Sequence, residues 1–118
     1  MLPICVQTVF VPDLKQAVAF FQSALGYEVK ANYGDCITQL RTGATTLIVQ
    51  QIEPGTGPQA PMTVLSFQTE DIHAAMRSVV EAGGELLHET PMKCPVGVYV
   101  MFRDKAGVVH DLLQFEKA

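Results

Sequence analysis

Tryptophan is missing from this chain, and charge is scarce: Asp, Glu, Lys and Arg make up 17% of its 118 residues. The eight Lys and Arg are scattered and the formal net charge is −4. That excludes the basic stripe a nucleic-acid-binding protein needs. No stretch approaches the roughly 18 uninterrupted apolar residues of a membrane span, so no membrane partner is expected. No cationic segment precedes an apolar run at the start of the chain, so no secretory signal is expected either. Cysteine is limited to Cys5, Cys36 and Cys94. They are odd in number, far apart and outside any C-x-x-C pair. This argues against a disulfide framework and a structural zinc site, and fits reduced thiols in a cytoplasm. A phosphate-binding glycine loop is also missing, because Gly55-Thr56-Gly57 has no helix after it. No Ser/His/Asp arrangement appears.

What is present is a long apolar complement, 48% of the residues, in a chain of single-domain length. The domain is expected to span residues 1–118. The same pattern occurs in it twice. Val11-Pro12-Asp13-Leu14 leads through Ala17 to Leu25-Gly26-Tyr27, and Thr69-Glu70-Asp71-Ile72 leads through Ala75 to Gly83-Gly84-Glu85. Asp13 and Asp71, Ala17 and Ala75, Gly26 and Gly84 are separated by one common spacing. A repeat of this size is one supersecondary unit used twice.

Residues 4–11 are β-branched and aromatic between two prolines, which predicts a strand. Asp13 reads as a helix N-cap, with Gln16 three residues later, and Gly26 as the C-terminal glycine. Strands are expected at 27–31, 37–41 and 45–51. The Pro/Gly-rich stretch 53–61 reads as a linker. The order then recurs: a strand at 63–69, a helix at 71–82, and strands at 85–88, 98–103 and 108–115. Residues 1–52 form the first unit and 62–118 the second. The expected fold is α+β, two tandem β-α-β-β-β units whose curved sheets enclose a cleft. A ferredoxin-like sandwich has one strand fewer per half and fits less well.

Three stretches, VPDLKQAVAFFQSALGYEV, TEDIHAAMRSVVEAGGELL and FRDKAGVVHDLLQF, resemble the two helix units and the closing motif of the vicinal oxygen chelate superfamily. That superfamily includes glyoxalase I, the extradiol dioxygenases and the fosfomycin and bleomycin resistance proteins. The likeness covers almost the whole chain in the right order. It implies metal ligands seven residues before each helix Asp and four residues after each turn glycine. Those positions are Val6, Leu47, Val64 and Asp111. A shift of one residue offers Cys5 or Gln7, Ile48, Thr63 and His110. One carboxylate among aliphatic groups does not hold a divalent cation. The metal-free bleomycin-resistance-like members are therefore the nearest in character, with no cofactor expected and a divalent metal disfavoured.

Side chains alternate along a strand. Counting from those positions, the inward face comprises Val6, Thr8 and Phe10, then Ile37, Gln39 and Arg41, then Thr45, Leu47 and Val49. The second unit adds Val64, Ser66 and Gln68, then Tyr99, Met101 and Arg103, then Val109, Asp111 and Leu113. An apolar face with a few polar groups is the make-up of a small-molecule pocket. Arg41, Tyr99, Asp111, Gln39, Ser66, Met101 and Phe10 are the candidate ligand-binding residues, with no catalytic residue singled out. Arg41 is read as a clamp for an anion, or else as an ion-pair partner of Asp111 or a solvated strand-end residue. His73, His88 and His110 read as structural. The expected function is binding of a small organic molecule without metal. The alternatives are a lyase, isomerase or dioxygenase of the same superfamily, or a ligand-free dimeric scaffold. A homodimer is expected, because small sheets have edges to cover.

Overall fold

Two aspartates start two helices in the same way. Asp13 is extended (φ −137°) and its carboxylate accepts from the Gln16 backbone N–H; Asp71 (φ −140°) does the same for Ala74. Both bonds are 3.1 Å. Each satisfies an N–H that a helix leaves unpaired in its first turn. The helices are α1, Leu14–Leu25, and α2, Ile72–Glu81. Gly26 ends α1 in the left-handed conformation at φ 73°, where a side chain would be strained. The computed structural model describes residues 1–117.

The chain forms two compact units. One runs from Val6 to Val64. It contains most of β1 (Ile4–Val11), α1, β2 (Glu28–Tyr33), β3 (Ile37–Arg41) and β4 (Thr46–Gln51). Its strand order is β2-β3-β4-β1. The β1–β4 pair is parallel and the others antiparallel. Helix α1 covers one side of this sheet. Leu14, Leu40 and Val49 are buried there, with Val11, Val18, Phe21, Tyr27 and Leu47 packed around them. Leu40 and Val49 are 1% and 0% exposed, and full burial of such a side chain is worth about 1.5–3 kcal/mol.

This packing corrects one strand. Leu47 and Val49 belong to the helix-covered side, not to the open side. Leu47 pairs with Leu40, while Ile48 pairs with Gln39 and Thr8. The open side of β4 therefore carries Thr46, Ile48 and Gln50. The physical reason is that α1 needs two large aliphatic residues from β4, and those are Leu47 and Val49.

The other unit runs from Leu65 onwards and includes Met1–Cys5. The Pro3 carbonyl accepts from the Gln68 N–H at 2.8 Å, which ties the first residues to it. Its strands are β5 (Met62–Gln68), β6 (Glu85–Leu86), β7 (Met92–Cys94), β8 (Gly97–Arg103) and β9 (Val109–Phe115). The order is β5-β9-β8-β6, with β7 also on β8. The β5–β9 pair is parallel and the rest antiparallel. Ile72, Ala75 and Met76 of α2 pack against Val100, Phe102 and Leu112, with Phe67, Val79, Leu86 and Val98 around them. The alternation on β5, β8 and β9 matches the sequence expectation throughout. The short strand β7 lies in the 90–97 loop and is an addition to the expected order.

One detail repeats in both units. The side-chain carbonyl of Gln51, the last residue of β4, accepts from the Leu14 N–H at 3.1 Å; that of Gln114 in β9 accepts from Ile72 N–H at 2.8 Å. Each helix is pinned at its first residue to the closing strand of its own unit.

Candidate functional site

The side of β5, β9 and β8 away from α2 gathers four of the residues singled out from sequence. Asp111 lies on β9 between Ser66 of β5 and Met101 of β8, as direct register partners on either side. Paired residues point to the same side of a sheet, so the three share one surface. Tyr99 follows two pairs along, on the same side, opposite Leu113. Ser66, Met101 and Leu113 are 3%, 8% and 5% exposed. Asp111 and Tyr99 are half-buried.

This setting acts on the Asp111 carboxyl. Burial pushes its pKa up from 3.8 to about 6, while hydrogen bonding to Ser66 and the charge of His110 pull less strongly the other way. Its Oδ1 touches neither solvent nor a hydrogen-bonding partner. A desolvated carboxylate oxygen without a donor is costly. The basic groups of β8 and β9, Arg103 and His110, are already engaged. Arg103 is held by Glu85 at 2.8 Å. His110 points to the helix-covered side, as its alternation predicts. Its ring lies 5.5 Å from those of Phe67 and Phe102. Its Nε2 is 2.9 Å from Asp104 Oδ2. Hydrogen bonding to His110, then to the Val108 N–H, holds the Asp104 carboxyl below its usual range.

His88 is built into the sheet. Its Nε2 accepts from the Met101 N–H at 3.0 Å, so Nδ1 carries the proton and donates to the Thr90 carbonyl at 2.8 Å. Its ring meets that of Tyr99 edge-on at 5.9 Å. The ring replaces a strand partner on the edge of β8 where β6 has ended and β7 has not begun. Sequence reasoning treated His88 as a strand-end residue, and nothing in its neighbours signalled this role.

Phe10, Gln39 and Arg41 belong to the other unit, on its side away from α1. Gln39 accepts from the Tyr33 hydroxyl at 3.2 Å. Tyr33 escaped the sequence analysis because β2 runs two residues past its expected end. Phe10 and Gln39 are half-buried, whereas Arg41 is exposed at the end of β3. Its register partners are Glu28 and Thr46, and it makes no ion pair among the described residues. A guanidinium in water needs no ligand to satisfy it, so the desolvation argument for an anion clamp does not apply to Arg41.

The model of the glyoxalase/bleomycin resistance protein/dioxygenase superfamily matches residues 4–112. The chain belongs to that superfamily. Solved structures with the same fold include a hypothetical protein from Bacillus halodurans, with a TM-score of 0.79 at 12% identity, covering 99% of this chain and 96% of that one. Methylmalonyl-CoA epimerase from Mycobacterium tuberculosis gives 0.70 at 17%, covering 97% and 88%. A methylmalonyl-CoA epimerase in complex with methylmalonyl-CoA and ammonium gives 0.67 at 17%, covering 98% and 95%. At these identities the likeness establishes the fold. No curated protein matches the chain.

The divalent metal that the superfamily resemblance implies does not fit the donors present. Val6, Leu47 and Val64 carry none, nor does Ile48 one residue on from Leu47, which leaves Asp111 alone. No three His, Cys, Asp or Glu residues group to hold a metal ion among the described residues.

Proposed function

We propose that this superfamily member binds a small organic molecule over the β5–β9–β8 surface, without a divalent metal. Asp111 and Ser66 are its polar contacts, Met101 and Tyr99 its apolar and aromatic ones. The observation that supports this reading is the Asp111 carboxyl, held among buried neighbours with one oxygen unpartnered. Proteins rarely leave such a group without purpose, because its ionised form costs stability.

A fragment screen followed by amide and methyl NMR tests the reading. Binders are expected to shift Ser66, Met101 and Asp111 together. A broad screen that leaves these signals unmoved, or moves only residues on the helix-covered side, refutes it.

The pKa of Asp111 favours a second reading, an isomerase or lyase that moves a proton without metal. A group with a pKa near the working pH is suited to general acid–base catalysis. With methylmalonyl-CoA as probe, this reading expects deuterium from D2O to enter the substrate carbon, and expects Asp111→Asn to stop it. No incorporation leaves the binding function alone for that probe.

A further inference from the structure

We propose that Asp111 recognises a cationic nitrogen, so that the ligand is a small molecule joining an apolar body to a protonated amine or amidinium. The inference rests on the binding function proposed above and assigns its ligand class.

Three observations lead there. First, Asp111 Oδ1 is shielded from solvent and has no donor. An N–H from a charged group is the strongest donor such an oxygen can gain. Second, the basic side chains of β8 and β9 are already engaged. Arg103, on the same side of the sheet, is bound to Glu85 at 2.8 Å, and His110 lies on the opposite side against Asp104 at 2.9 Å. The direct neighbours across the sheet, Ser66 and Met101, bring no charge. Third, what surrounds the carboxyl is apolar: Met101 and Leu113 are buried, and Tyr99 presents a half-buried ring. A ligand that fills this surface is apolar except at one point.

The energetics select the sign of that point. The shielded Oδ1 has no donor, so the carboxylate lacks compensation. A ligand cation supplies it. An anion placed there adds repulsion to desolvation, and a neutral group gives one hydrogen bond without the charge. Asp111 is half-buried as a residue, so part of it meets the surface.

Three probes of one size separate the cases: benzylamine, benzyl alcohol and benzoate, titrated at pH 7.5 while the Met101 methyl and the Ser66 and Leu113 amides are followed by NMR. Benzylamine is expected to bind about tenfold more tightly than benzyl alcohol, with benzoate weakest. Asp111→Asn is expected to abolish the preference for the amine over the alcohol. Equal affinity of amine and alcohol, or tighter binding of benzoate, overturns the cation assignment and leaves the binding function standing. An amine preference that survives in Asp111→Asn overturns it as well. Failure of all three probes to move these signals overturns both readings.

Discussion

Asp111 makes the protein less stable as pH rises, and its amide variant should not share that loss. In the unfolded chain the carboxyl titrates near 3.8; in the folded protein burial raises it to about 6. Below the lower value both states hold the proton and the group discriminates against neither. Between the two values the unfolded chain releases its proton while the folded protein keeps it. Each pH unit in that window therefore costs the folded state up to about 1.4 kcal/mol. Above pH 6 both states are ionised and the cost levels off. The full shift corresponds to roughly 3 kcal/mol, which the partial exposure of the residue trims to about 2 kcal/mol. Asp104 acts in another window. Its folded pKa is lowered, so its contribution is present above 3.8 and lost only on further acidification. Urea unfolding of the native protein and of Asp111→Asn at pH 4.5, 5.5, 6.5 and 7.5 isolates the effect, since the remaining titrations cancel in the difference. The stability of Asp111→Asn relative to the native protein should rise by about 1.3 kcal/mol from pH 4.5 to pH 7.5, because part of the cost is already present at pH 4.5. A difference that is flat with pH, or that falls, refutes the argument that this carboxyl is desolvated without a partner.

The remaining predictions concern the frame around that residue and its chemistry. Gln51→Ala and Gln114→Ala should each cost about 1 kcal/mol in urea unfolding, because each frees the first N–H of a helix; no loss in either refutes the pinning role. Gly97→Ala should cost about 1–3 kcal/mol, since a Cβ there runs into the Gln114 carbonyl of the paired strand; a neutral effect would mean that β8 and β9 are not so closely apposed. Arg41→Met should leave binding at the Asp111 surface within about twofold, because an exposed charge contributes little; loss of anionic ligands alone would restore the clamp role. Elemental analysis should find no stoichiometric transition metal, and a chelator should leave Tm unchanged, since a cation bound only to the folded state would add stability.

The parts of this molecule that were legible in the sequence are those governed by local rules. Capping geometry is a matter of a few adjacent residues, so Asp13 and Asp71 marked the starts of both helices and Gly26 the end of the first. Alternation is a rule of period two, so once one residue of β9 was placed, Asp111 and His110 went to opposite sides. The rule failed on β4 because its starting point was a family spacing transferred from metal-binding relatives. Here α1 draws Leu47 and Val49 beneath it, and a one-residue displacement reverses every side chain of a strand. What could not be read locally is whatever a distant group supplies. His88 serves as an acceptor for Met101 across thirteen positions of sequence, and no propensity encodes a side chain standing in for a strand. The condition of Asp111 is the same kind of property. Its residue type announces a charge, and its position announces a surface. The missing partner for Oδ1 is seen only in the folded arrangement, where Arg103 on the same side of the sheet is already held by Glu85. Removing the Arg103–Glu85 pair would therefore be expected to change the cation preference at Asp111. A freed Arg103 lies on that side of the sheet, one same-side position from Met101 along β8, and Glu85→Gln should make it a competitor for the ligand's place.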